Sequence, residues 1–307
     1  MNPIICVVGP TASGKTKLSV ALCQRLNGEV LSCDSMQIYR GMDVGTAKPT
    51  AEEMAGVPHH MIGCIDPAED FSVGRYVAMA DPILQDILGR GKTAVVTGGT
   101  GLYVDALIAG RSFAPFPSTG KREELQALRD REGIEAVIAL LQKVDPESAA
   151  RLHPADERRI LRAAEVYLET GKTITAHNLE TQQQPPKYRP LWLGLNFKDR
   201  QDLYDRIDRR VLRMVEGGLF DEVERLRDTR PNATALQAIG YKEPLQALRG
   251  EITREEAVAK IQQESRRYAK RQLTWFRKNP DIHWLLLDRE PDFSAIVEEA
   301  CRLAEES

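Results

Sequence analysis

Cysteine is sparse and scattered in this chain: five residues in 307, Cys6, Cys23, Cys33, Cys64 and Cys301, with no Cys-x-x-Cys pair. An odd count at such spacing supplies neither a disulfide framework nor a zinc site. No apolar run approaches the roughly 18 residues of a membrane-spanning helix, so no membrane association is expected. The opening Met-Asn-Pro-Ile-Ile-Cys has no basic stretch followed by a cleavage site, so a secretory leader is not expected either. Strong net charge is missing as well: the total is −3, which excludes a protein coated in positive charge. What remains is an ordinary cytoplasmic globular chain, long enough for about two structural units.

The near-neutral total hides an uneven distribution. Residues 1–110 carry 8 basic and 11 acidic side chains, residues 111–280 carry 32 and 26, and residues 281–307 carry 2 and 8. The basic excess sits in the middle of the chain, where it can form a local surface facing a polyanion.

Ile4 to Val8 is a short apolar run ending in glycine and reads as a buried strand. Lys15 to Leu26 follows as a helix with Leu18, Ala21, Leu22 and Leu26 on one face. Glu29–Cys33 and Thr93–Thr97 read as further strands, with a helix over Val73–Leu88 between them. Strands alternating with helices imply α/β architecture with a parallel sheet. From Lys121 to about Thr170 the pattern is helical and charge-rich, ending in the polar run Gln182–Pro186. Residues 115–189 therefore read as a helical insertion domain into a core made of 1–114 and 190–307. Beyond it the pattern gives a strand at Leu191–Leu195, helices at about 200–228 and 253–277, a strand at His283–Leu287 and a helix at 293–305.

Gly9-Pro10-Thr11-Ala12-Ser13-Gly14-Lys15-Thr16 fits G-x-x-x-x-G-K-[ST] at every position, after a strand and opening a helix. Glycines let successive amides curl toward phosphate oxygens, and the helix N-terminus adds its partial positive charge. Lys15 supplies a mobile point charge, and Thr16 can set its hydroxyl on Mg²⁺. The loop recognises a diphosphate group without specifying what that group carries. Asp34 follows the second strand and should face the loop, since ligands sit outside the carboxyl ends of such strands. It reads as a metal ligand, as a general base or as a plain turn residue. The strand Thr93–Thr97 runs into Gly98-Gly99-Thr100-Gly101 rather than an aspartate, and Asp288 is a late alternative.

Arg266, Arg267, Lys270, Arg271, Arg277 and Lys278 fall on one arc of a helix, with Ile261, Tyr268, Gln272, Trp275 and Phe276 opposite as its core face. No acidic residue occurs from Ser265 to Pro280, which favours a phosphate-backbone contact over a solvated salt-bridged face. Arg206, Arg209, Arg210 and Arg213 share another face, but Asp202 and Asp205 are near enough to pair with them. Arg158, Arg159 and Arg162 cluster in the insertion. The five histidines lack metal-ligand spacing and read as structural.

Together these motifs resemble the tRNA dimethylallyltransferases. The resemblance rests on Gly9–Thr16, on Asp34-Ser-Met-Gln-Ile-Tyr-Arg-Gly-Met-Asp-Val-Gly-Thr-Ala-Lys48-Pro49, and on His59-His60-Met-Ile and Asp66-Pro67. It continues through Gly98–Tyr103, Ala238-Ile-Gly-Tyr-Lys-Glu243 and Tyr268–Arg277. It implies a P-loop NTPase/kinase-like core that moves a dimethylallyl group from dimethylallyl diphosphate, with Mg²⁺, to the exocyclic amine of the adenosine immediately 3′ of the tRNA anticodon. In that scheme Asp34 accepts the amine proton, Thr100 positions the base, and one or both of Arg206 and Arg210 clamp the diphosphate. Asp34, Ser35, Met36 and Gln37 line the base pocket. Lys121, Arg122, Arg158, Arg159, Ile160, Leu161 and Arg162 contact tRNA from an insertion that closes over the anticodon arm. Ile239, Gly240, Tyr241, Lys242, Glu243 and the 266–277 helix contact it from the core. A bacterial-type monomer without a zinc finger is expected. A small-molecule or nucleotide kinase explains the loop but leaves the cationic helix unused, and a prenyltransferase for free adenine nucleotides leaves the insertion unused. A non-catalytic RNA binder would not need Lys15, Thr16 and Asp34 together.

Overall fold

The computed structural model describes residues 4–111, 119–183, 185–229 and 231–306. The chain divides into two units, Met1–Gly110 with Lys187–Ser307, and Arg111–Pro186. The sequence boundary at 114/115 lies outside the described residues, and the one at 189/190 is drawn at 186/187 instead.

The first unit begins β1 (Ile4–Val8), α1 (Lys15–Leu26), β2 (Gly28–Ser32), α2 (Ala51–Met54), β3 (His59–His60), α3 (Val73–Gly89), β4 (Thr93–Gly98) and α4 (Gly101–Ala109). The insertion holds α5 (Lys121–Glu132), α6 (Ile134–Val144), α7 (Pro146–Arg151), α8 (Glu157–Thr170) and α9 (Ile174–Gln183). The first unit resumes with β5 (Leu191–Phe197), α10 (Arg200–Glu216), α11 (Leu219–Asp228), α12 (Ala233–Leu236), α13 (Lys242–Leu248), α14 (Arg254–Phe276), β6 (Ile282–Leu287) and α15 (Phe293–Glu305). No described helix is long and apolar enough to cross a membrane.

The six strands form one sheet in the order β3-β2-β4-β1-β5-β6, every pair parallel. Strand periodicity divides the core between the two faces. Ile5, Val7, Val30 and Val95 pack with Leu18 and Leu22 of α1 and Val297 of α15, while Cys6, Val8, Leu31, Ala94 and Val96 pack with Tyr76 of α3 and Leu107 of α4. Both faces are covered, which is why β1 and β2 are buried at every residue.

Two helical stretches of the sequence break into pieces for local reasons. The expected 200–228 helix stops at Gly217, and Gly218, at φ +89°, starts α11 afresh. The 121–170 stretch is cut at Gly133, at φ +84°, at Asp145-Pro146, where the Asp145 carboxylate accepts the Ser148 amide and Pro146 opens α7, and again between Arg151 and Glu157. The insertion has its own core, built on Leu125, Val137, Leu141, Ile160 and Leu161.

Candidate active site

β1, β4 and β2 are neighbours in register, so their carboxyl ends deliver three loops to one place. Val8 lies level with Gly98, Ser32 with Thr97, and the Cys33 amide donates to the Thr97 carbonyl at 2.7 Å. The chain leaves β1 toward β2 on one side and returns later as β5 on the other. That reversal in strand order is where an open α/β sheet leaves a crevice.

The 9–16 loop fills this position. Gly9 sits at φ +140°, and a Cβ there would collide with the Leu195 carbonyl of β5, so only glycine lets the loop leave β1. No side chain caps the first turn of α1, which leaves its amides to a ligand. The Ser13 hydroxyl is buried with no partner. Lys15 Nζ donates to the Pro10 carbonyl at 2.7 Å. Burial, and after it the neighbouring Arg210 guanidinium, draws the Lys15 ammonium down to about 7 against the opposing pull of Asp34. Lys15, Arg210 and Asp34 therefore share one electrostatic site.

Asp34 Oδ1 accepts the amides of Met36 at 2.8 Å and Gln37 at 3.1 Å, the geometry of a turn aspartate, which fixes the carboxylate beside the loop. Thr100 stands at the N-terminus of α4 without capping it. Its hydroxyl accepts the Ser35 amide at 3.2 Å and donates to the Ser35 hydroxyl at 3.3 Å. Gln37 is committed elsewhere: its side-chain amide donates to the Thr46 and Ala47 carbonyls, both at 3.2 Å. Asp288 ends the edge strand two strands from β1 and pairs with Lys198 at 2.9 Å, so it takes no part here.

The two candidate clamps differ in what they touch. Arg206 Nε donates to the Ala12 carbonyl at 3.1 Å and its guanidinium lies over the Phe197 ring at 5.4 Å, which braces the loop from outside. Arg210 donates to the Thr46 carbonyl at 3.3 Å, while its Nε is buried without a partner. A buried donor with no protein partner, beside Lys15, suits an anionic ligand.

Several residues of this region are assigned no role by the sequence. Glu222, buried on α11, accepts the amides of Asp43, Val44 and Gly45 at 2.9, 2.7 and 3.0 Å and the Tyr241 hydroxyl at 2.6 Å, so it fixes the 43–47 loop that Gln37 and Arg210 lean on. Tyr268 shares this region, and burial first, then the Asp34 charge, pushes its phenol up to about 12. Gln272 lies in the Tyr268–Arg277 run and is polar on the helix's core face, a sequence signal that gives it no role by itself.

The cationic surfaces are less free than the sequence suggests. Arg266 pairs with Asp208 of α10 at 2.5 Å, and Arg267 pairs with Glu264 at 2.6 Å. Among the described residues no carboxylate lies within ion-pair distance of Lys270, Arg271, Arg277 or Lys278. Trp275 is not a core residue: it is 38% exposed, and its indole N–H donates to Asp105 at 2.8 Å. In the insertion Lys121 pairs with Glu124, and Arg122 and Arg162 with Glu165. Ile160, Leu161, Tyr241 and Glu243 turn their side chains into their own cores. Arg158, Arg159, Arg162 and Lys242 are exposed, with Arg159 3.7 Å from Asp156 and Lys242 3.9 Å from Glu243.

Residues 37–279 match the IPP transferase family and residues 2–62 the isopentenyl transferase family. The chain is 47% identical over 289 residues to the tRNA dimethylallyltransferase of Thermoanaerobacter sp. (strain X514), covering 93% of this chain and 92% of the relative. It is 48% identical over 283 residues to that of Halalkalibacterium halodurans, covering 92% and 90%. Among solved structures, the tRNA isopentenylpyrophosphate transferase of Bacillus halodurans superposes with a TM-score of 0.74 at 43% identity, covering 100% and 98% of the two chains. A eukaryotic dimethylallyltransferase acting on tRNA superposes at 0.82 and 30% identity, covering 99% and 78%. With most of its length matched at such identity, and with a phosphate-loop sheet at its centre, the chain belongs to the tRNA dimethylallyltransferase (IPP transferase) family.

Proposed function

We propose that this protein transfers a dimethylallyl group from dimethylallyl diphosphate to the exocyclic amine of the adenosine immediately 3′ of the tRNA anticodon. The observation that carries the reading is the meeting of Lys15, Arg210 and Asp34 at the carboxyl ends of β1 and β2. Two converging cations suit a departing diphosphate, and one carboxylate beside them suits an amine that must lose a proton. The amine nitrogen attacks the allylic carbon, the carbon–oxygen bond breaks, and the diphosphate leaves with the bonding pair. Its charge falls on Lys15, Arg210 and the loop amides that follow Thr11, while the amine proton passes to Asp34. Arg210 is the clamp in this scheme, and Arg206 holds the loop. Thr100, tied to Ser35, sets the base against Asp34. The adenosine leaves its stack to reach them.

The residues present fit Mg²⁺. Among the described residues no group of three His, Cys, Asp or Glu forms a protein cage, and Mg²⁺ prefers one or two protein oxygens with substrate phosphates and water. Thr16 would hold it, and when bound it offsets diphosphate charge. All five cysteines are free, which fits a reducing, cytoplasmic setting.

Incubation with dimethylallyl diphosphate, Mg²⁺ and unmodified tRNA, with mass spectrometry of the nucleosides, tests the reading. Prenyladenosine should form with no ATP present, and ATP should act at most as a competitor for the loop. A strict ATP requirement would restore a kinase.

The RNA contact is measurable through salt. Each neutralised phosphate contributes about −0.7 to −0.9 to the slope of log affinity against log salt. Arg271→Ala should flatten that slope by about 1. Arg267→Ala should flatten it less, because Glu264 already faces that guanidinium. Equal slopes in wild type and Arg271→Ala would mark the α14 face as merely solvated.

A further inference from the structure

The donor loop and the acceptor turn are joined by a single side chain. Gln272, on α14, is 5% exposed. Its Oε1 accepts the Thr11 amide at 2.8 Å, and its Nε2 donates to the Gly99 carbonyl at 3.0 Å. Thr11 lies 261 positions away in the chain and Gly99 lies 173 away, so no local constraint brings the three together. Both ends of the amide are therefore used, one on each loop. The fit is close: a Cβ on Gly99 would overlap the Gln272 amide nitrogen, and one on Gly101 would overlap the Trp275 ring.

We infer that Gln272 is a positioning residue for the transfer step, setting the phosphate loop at a fixed distance from the Thr100 turn. The inference rests on the reading that the diphosphate sits on 9–16 and the adenosine beside Asp34 and Thr100. Its physical basis is the steep dependence of a displacement on alignment. The leaving group is held by one loop and the nucleophile by the other, so a small slip between them misaligns attack without weakening either ligand's own contacts. The Thr11 amide, turned outward to Gln272, is not available to phosphate. It anchors the loop so that the amides after it can turn inward.

The test uses two variants of the full-length protein with dimethylallyl diphosphate and tRNA. Gln272→Leu keeps the bulk and loses both hydrogen bonds. Its kcat should fall about 10- to 100-fold, with the KM for tRNA unchanged. Gln272→Glu mimics the amide only when protonated, because the acid can then donate to the Gly99 carbonyl. Its turnover relative to wild type should therefore rise as pH falls. Taking the ratio at each pH removes the titration of Lys15, Asp34 and Tyr268, which face the same region. If Gln272→Leu does not fold, the Gln272→Glu ratio decides alone.

A kcat within twofold of wild type in Gln272→Leu, or a pH-independent ratio in Gln272→Glu, overturns the inference. Lys15→Ala separates it from the reading beneath it. Near-normal turnover in Lys15→Ala would remove the donor site itself, whereas loss there with normal Gln272 variants would leave the site standing and reject the strut.

Discussion

Asp34→Asn should lower turnover by about 10²- to 10⁴-fold, the range that general-base catalysis contributes. The substitution is unusually clean here. The carboxylate uses Oδ1 to receive the Met36 and Gln37 amides, and the side-chain oxygen of asparagine can receive both. The 34–37 turn therefore keeps its shape, and what disappears is the capacity to take a proton. Single-turnover transfer at saturating tRNA reads this loss directly, while binding of tRNA should change far less. Wild-type rates in the variant would reduce Asp34 to the turn residue that its hydrogen bonds also describe.

Lys15→Ala should cost about 10²- to 10³-fold in turnover, as expected when one preorganised donor is removed from a developing anion. It should also change the pH dependence of donor binding. In the free protein the ammonium loses its proton around pH 7 because it is buried beside Arg210. An anion on the loop favours the charged form, so binding above that pH takes up a proton. Affinity for inorganic diphosphate should therefore weaken as pH rises above about 7, by up to tenfold per pH unit. Calorimetry between pH 7.5 and about 9, in buffers of different ionisation enthalpy, would register both the slope and the proton. In Lys15→Ala the slope should vanish. A slope that persists would place the titrating group elsewhere.

Sequence patterning locates five of the six strands and the long helices of the first unit from apolar runs and amphipathic periods, and misses the two-residue β3 at His59–His60, which is too short to carry a pattern. It fails at Gly217-Gly218 and at Asp145-Pro146 only in treating continuous polarity as continuous helix. The loop, Asp34 and Thr100 are legible for a different reason: strand ends in a parallel sheet are fixed by register, so residues after them must converge. The roles of Glu222 and Gln272 are not legible, since a polar residue on a helix acquires its meaning only from amides far away in the chain. The same distance effect misleads the reading of α14. Asp208 neutralises Arg266 from 58 residues away, and a window along one helix cannot register it.

The order in which the ribosome releases this chain has a consequence for when the site exists. β1 emerges first, yet its two partners are residues 93–98 and 191–197, and the amide that anchors its loop is at residue 272. The insertion, by contrast, finishes its own cluster from Leu125 to Leu161 on contacts close in sequence. Near contacts form early and distant ones late, so the inserted unit can be folded while the phosphate loop is still slack. A nascent or truncated chain ending before residue 272 would contain every residue of the Gly9–Thr16 motif and lack the brace that gives the motif its shape. Catalytic competence thus arrives near the end of synthesis, although most of its motif residues are among the first hundred made.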